Sequence, residues 1–132
     1  MTRFAFAALA ALAVSAGELD TSPASLAALS WLATVDSGDY GQSWDDAAEV
    51  LHATVARQQW EGAMRKMRAP RGAVLERHVK YARYTQDSAT DPGHFVELEI
   101  EARFEKQPRA MEIVTALVTA DGTWKVSGYS IK

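Results

Sequence analysis

Arg77 and Glu112 carry the strongest hint of chemistry in this chain. Each is a full charge among apolar residues of the same strand parity: Arg77 keeps step with Leu75, Val79 and Tyr81, and Glu112 with Val114, Ala116 and Val118. A charge on the dry face of a sheet is very costly unless it is paired. The two are therefore expected either to meet inside the fold or to sit near strand ends, where long side chains reach water. A buried carboxylate beside a phenol is also the apparatus of general acid–base catalysis, because burial lifts a carboxyl toward neutral pH. Glu112 or Asp36 beside Tyr81 would meet that description. Trp44 and Trp60, with Trp31, fall on apolar helical faces. They are either core, given the area an indole buries, or part of a pocket lining shared with Arg77, Tyr81 and Glu112.

Other constellations do not form. His52, His78 and His94 lie on a helix end, a strand and a turn, without the i, i+4 pairing or short spacing of a zinc site, so no metal is expected. Gly41-Gln42-Ser43-Trp44-Asp45 lacks the second glycine of a nucleophile elbow and follows a helix instead of a strand. There is no Gly-x-Gly-x-x-Gly and no phosphate-binding loop, hence no expected cofactor. The chain has no cysteine, which excludes disulfides, thiolate metal sites and a cysteine nucleophile. Lys plus Arg number 14 against 17 Asp plus Glu, a net charge of −3, where a nucleic-acid binder would show a basic excess. The basic run Arg65-Lys66-Met67-Arg68, with Arg71, reads as the solvated end of a helix, where cations complement the dipole.

The elements that must position these residues divide the chain in two. Up to Gly72 the periods are helical. Ser22 and Pro23 open a first helix whose Leu26, Leu29, Leu32 and Val35 recur every third residue, and Ser37-Gly38 stops it. A second helix follows Gly41, with Tyr40, Trp44, Ala48 and Leu51 on one side. A third begins after Thr54, shows Trp60, Ala63, Met64 and Met67, and ends at Pro70. From Val74 onward the pattern is strands. Val96, Leu98, Ile100, Ala102 and Phe104 alternate strictly with Glu97, Glu99, Glu101 and Arg103, which predicts a strand with one dry and one wet face. Val74 to Thr85 precedes it across the turn Asp91-Pro92-Gly93. Arg109 to Thr119 follows, β-branched and apolar, and Asp121-Gly122 turns the chain into Trp124 to Ile131. Helices first and strands after predict an α+β fold, three helices on a four-stranded antiparallel meander.

The N-terminus places the protein. Arg3, an apolar run from Phe4 to Val14, and small residues at Val14-Ser15-Ala16 make a secretory signal peptide with cleavage after Ala16. The run is about half the roughly 20 residues of a membrane-spanning helix, so no stable span is expected. A cysteine-free domain, Gly17 to Lys132, then acts in the periplasm or outside the cell.

Trp31-Leu32, Asp36-x-Gly38-Asp39-Tyr40-x-x-Ser43-Trp44, Trp60, Arg68-Ala69-Pro70-Arg71-Gly72, Arg77 and Asp121-Gly122-x-Trp124-x-Val126-x-Gly128-Tyr129 occur in that order. Together they resemble the bacterial domain of unknown function number 4019, from about Ala24 to Lys132. That family looks like part of the nuclear-transport-factor-2-like (cystatin-like) group, so the resemblance implies a cone in which helices pack over a strongly curved sheet and a pocket opens between them. Some members of the group, such as ketosteroid isomerase, perform acid–base chemistry there, but their residues have no matching positions in this chain. The expectation is an exported, non-catalytic module that binds a small molecule or a protein partner. The alternatives are a cone enzyme, an isomerase or hydrolase, and a subunit that dimerises through its sheet.

Overall fold

The computed structural model describes residues 20–86 and 94–132. The stretch expected to be a signal peptide and the turn expected at Asp91-Pro92-Gly93 lie outside them. Four helices come first among the described residues: α1 (Ser22–Asp36), α2 (Tyr40–Asp45), α3 (Glu49–Thr54) and α4 (Arg57–Arg68), the last running into a 3-10 turn at Ala69–Arg71. Four strands follow: β1 (Val74–Gln86), β2 (His94–Phe104), β3 (Gln107–Val118) and β4 (Trp124–Ile131). They pair antiparallel in the order β1-β2-β3-β4, an open meander. Among the described residues no helix is long and apolar enough to cross a membrane.

The helical half holds one more helix than the expected three. The expected second helix is cut at Ala48, whose backbone is extended (ψ 155°). Its amide donates to the carbonyl of Val126 on the edge strand β4 at 2.8 Å. A strand hydrogen bond thus wins over helix continuity, and the break caps part of a free sheet edge. The buried face of α1 also differs from the expected stripe. Ala24, Ala28, Trp31, Leu32 and Val35 are buried, whereas Leu26 and Leu29 are exposed. Steps of three advance only 300° round a helix of 3.6 residues per turn, so a row spaced by three drifts off any one face.

Helices and sheet bury a common core in which Trp31, Leu32 and Met64 meet Val96, Leu98, Ile100 and Val114. Alternation in β2 holds as expected: Val96, Leu98, Ile100, Ala102 and Phe104 are all buried. Four register shifts interrupt the ladders, one of them between β2 and β3 at Ala102 and Phe104, and the other three reset the parity in β1 and β4. In β1 the register shifts between Val74 and Glu76 and between Val79 and Tyr81. Opposite Thr115 and Ala116, Gly128 and Val126 pair while Ser127 is extra. Leu75, expected on the dry face, is therefore exposed, and Tyr81 turns away from the face that carries Arg77.

Candidate functional site

Arg77 and Glu112 do meet. They stand on β1 and β3, with β2 between them; Arg77 is opposite Ala102, and Glu112 is opposite Ile100. The short Ala102 leaves room for the guanidinium to cross the middle strand. Arg77 Nε donates to Glu112 Oε1 at 2.7 Å and Nη2 to Oε2 at 3.2 Å. The same guanidinium donates from Nη1 to Asp36 Oδ2 at 2.8 Å and from Nη2 to Asp36 Oδ1 at 3.1 Å. Glu112 is 0% exposed. Tyr129, on β4, completes its shell by donating to Oε2 at 2.6 Å.

Arg68 closes the cluster from above. It is the last residue of α4 and is buried, and its Nη2 donates to Asp36 Oδ1 at 2.8 Å. Its guanidinium lies over the Phe104 ring, 4.9 Å from the centroid, a geometry in which the ring face attracts the cation. Its Nε and Nη1 meet no acceptor among the described residues. The sequence reading placed Arg68 in a solvated basic run, and the structure corrects that. The signal for burial was its position four residues after Met64 and eight after Trp60, on the one apolar row of α4. Tyr129 was missed because the Ser127 bulge inverts its parity. An isolated glycine inside a strand, here Gly128, marks such a bulge.

Two carboxylates and two guanidiniums thus neutralise one another. Asp36 ends α1, where the helix dipole disfavours a negative charge. Burial alone would push its carboxyl up, but the hydrogen bonds from Arg77 and Arg68 outweigh that and leave it below the usual carboxylate value. Arg77 responds in the opposite sense: burial acts against its charge, yet Asp36 and Glu112 hold the proton more firmly than in water. The Tyr129 hydroxyl is pushed up by burial and by the Glu112 charge, and so stays protonated as a donor. The arrangement offers tight ion pairs in which both carboxylates are engaged by donors; it does not present a free base.

The other expected pocket residues lie apart from this cluster. Tyr81 is on the opposite sheet face, where its hydroxyl donates to Glu99 Oε1 at 3.2 Å and Arg83 lies over its ring. Trp60 is core: its Nε1 donates at 2.9 Å to the hydroxyl of the fully buried Ser43, whose carbonyl accepts from Trp31 Nε1 at 2.8 Å. Trp44 donates to the Val55 carbonyl at 2.9 Å and stacks on His52, ring centroids 4.0 Å apart. These bonds fix the short helices and line no site with Arg77 or Glu112. Two of the pockets among the described residues are open to solvent. One, of about 690 Å³, lies against β1, β2 and β3 and includes His78, Glu101, Arg109, Met111 and Lys132. The other, of about 300 Å³, runs between α1 and the start of β4 past Trp31, Asp46 and Trp124. Neither is lined by Trp44, Trp60, Arg77, Tyr81 or Glu112. Among the described residues no three His, Asp or Glu side chains converge to hold a metal.

A family model described as protein of unknown function (DUF4019) matches residues 27–129. No curated protein matches the chain. The match spans most of the sequence, and the chain belongs to that family.

Proposed function

We propose that this protein is an exported, non-catalytic binding module that engages its ligand or partner through the sheet face the helices leave uncovered. The observation that carries this reading is how the interior is filled: Glu112, Asp36, Arg77, Arg68 and Tyr129 pair with one another between the helices and the sheet, and both carboxylates are taken up there. The open groove of about 690 Å³ lies instead on the outer face. The apolar run from Phe4 to Val14, with small residues up to Ala16, supports export to the periplasm, and the helix-then-meander order supports kinship with nuclear-transport-factor-2-like cones. The enzymatic alternative has less support, because Asp36 is held as a paired anion and Tyr81 stands on the other side of the sheet. A general base must be within hydrogen-bond reach of its proton and near the working pH.

Native mass spectrometry on protein recovered from the periplasm tests this reading. A chain that begins at Gly17 and carries a stoichiometric non-covalent companion, small or macromolecular, is expected. Met111→Lys, a change inside the outer groove, should release the companion. A bare monomer that begins at Met1 would overturn both the export and the binding.

A further inference from the structure

β3 departs from the pattern its neighbour obeys. An antiparallel sheet with helices on one side normally alternates apolar and polar residues, whereas a strand buried on both faces is apolar throughout. β2 alternates, with Glu97, Glu99 and Glu101 on the wet side. β3 does so only weakly: Ala110, Val114 and Ala116 are buried on the helix side, and Met111, Ile113 and Leu117, with Thr115 among them, are half-buried at the alternate positions on the other. Helices cover one face only, so β3 is composed for a cover that the single chain does not supply.

The charges flanking that apolar row select the cover. β2 carries the glutamates on one side of β3; on the other lie Lys125 of β4 and Lys132, the residue that follows β4. Glu97 and Glu99 are answered within the chain by Arg83 and Lys80. Glu101 and Lys132 form no ion pair among the described residues, and both line the outer groove. Met111 is level with both: it pairs with Glu101 across β2–β3 and exchanges backbone hydrogen bonds with Lys132 at 2.8 and 3.0 Å. We infer that a second copy of this chain covers the face, sheet against sheet, about a two-fold axis parallel to β3. That axis stacks β3 on β3 and lays β2 over the partner's β4. Lys132 then comes level with Glu101 of the partner subunit, at the roughly 10 Å separation of packed sheets that these long side chains span. The other in-plane axis, perpendicular to the strands, would lay glutamates over glutamates and is disfavoured.

This inference rests on the reading of the outer face as the binding surface, and its test separates the two. Sedimentation equilibrium of the mature chain from about 1 µM to about 1 mM covers the range of a weak to moderate dimer. A reversible dimer is expected. Ile113→Lys, at the centre of the row, should leave a folded monomer. Glu101→Lys and Lys132→Glu should each weaken the dimer about tenfold or more, and the two together should restore it. A monomer at the highest concentration, a dimer indifferent to Ile113→Lys, or a charge swap that fails to restore association overturns the inference. A periplasmic companion other than this chain, lost in Met111→Lys, would then still uphold the binding role.

Discussion

Replacing Arg77 by leucine removes two of the three hydrogen bonds that Glu112 accepts and leaves only Tyr129. Glu112 is 0% exposed, so water cannot replace the lost donors. Asp36 also loses Arg77 but keeps Arg68 and is 22% exposed, so its share is smaller. Removing one partner of a buried ion pair costs about 3–5 kcal/mol, because the stranded charge dominates. Against a total stability of roughly 5–15 kcal/mol, the domain should survive but melt much earlier. At roughly 3–6 °C per kcal/mol for a domain of this size, the drop is about 10–30 °C by calorimetry at pH 7. The double variant Arg77→Leu with Glu112→Leu removes both charges, and it should be more stable than the sum of the single changes by about 2 kcal/mol or more. A melting temperature within about 2 °C of wild type for Arg77→Leu, or strict additivity in the cycle, would refute the claim that the pair is interdependent and desolvated.

The same geometry sets four further expectations. The Asp36 carboxyl is lower in the folded than in the unfolded chain, so its stabilisation is fully present above the ordinary carboxyl value of 3.8 and is lost as the pH falls through the lower folded value; in chemical unfolding the gap between wild type and Asp36→Asn should close on acidification below 3.8, and a gap that widens there would contradict the shift. Tyr129→Phe takes a donor from a buried anion and should cost about 1.5–3 kcal/mol, whereas Tyr81→Phe on the open face should stay within about 0.5 kcal/mol, and equal effects in denaturant titrations would undo the parity assignment. Ala102→Leu puts bulk in the path of Arg77 and should cost about 1–3 kcal/mol, with most of that penalty absent in the Arg77→Leu, Glu112→Leu background. Gly72 has φ +75° and a Cβ there would lie 2.8 Å from Glu105 Oε1, whereas Gly38 has φ +85° and nothing within 4 Å; Gly38→Ala should cost about 1–2 kcal/mol for the backbone alone, and Gly72→Ala measurably more.

The meander was legible because alternation and an aspartate-glycine turn both act locally. β2 is the clear case, with five inward residues in unbroken step. The meeting of Arg77 with Glu112 was legible for the same reason: a charge at dry-face parity has to find a partner. Tyr81 was not legible. One extra residue at Lys80 inverts everything beyond it, and no glycine or proline marks the spot. The break at Ala48 was hidden as well, since its cause is the Val126 carbonyl on a strand some eighty residues later. Arg68 was readable in principle from the Trp60-Met64-Arg68 row. A cation in the last turn of a helix also satisfies the dipole, and sequence alone does not separate the two explanations.

A cluster of charges in this position needs a reason, since apolar residues of similar volume would often hold a core as well or better. Its placement supplies one. It lies at the joint between the main core and a smaller apolar cluster of Ala102, Phe104 and Ala110 with Val74 and Ile131. Tyr129 touches the first through Trp31, ring centroids 5.6 Å apart, and Arg68 touches the second through Phe104. Glu112 aside, β3 is largely apolar on both faces from Ala110 to Val118, so hydrophobicity alone would barely distinguish its register from one slipped by a single residue. Glu112 removes that ambiguity. A one-residue slip would carry it to the outer face and leave Arg77 and Arg68 buried with Asp36 as their one shared acceptor. The ion pairs therefore fix which face of β3 meets the helices, and so which apolar row is left outside for a partner to cover.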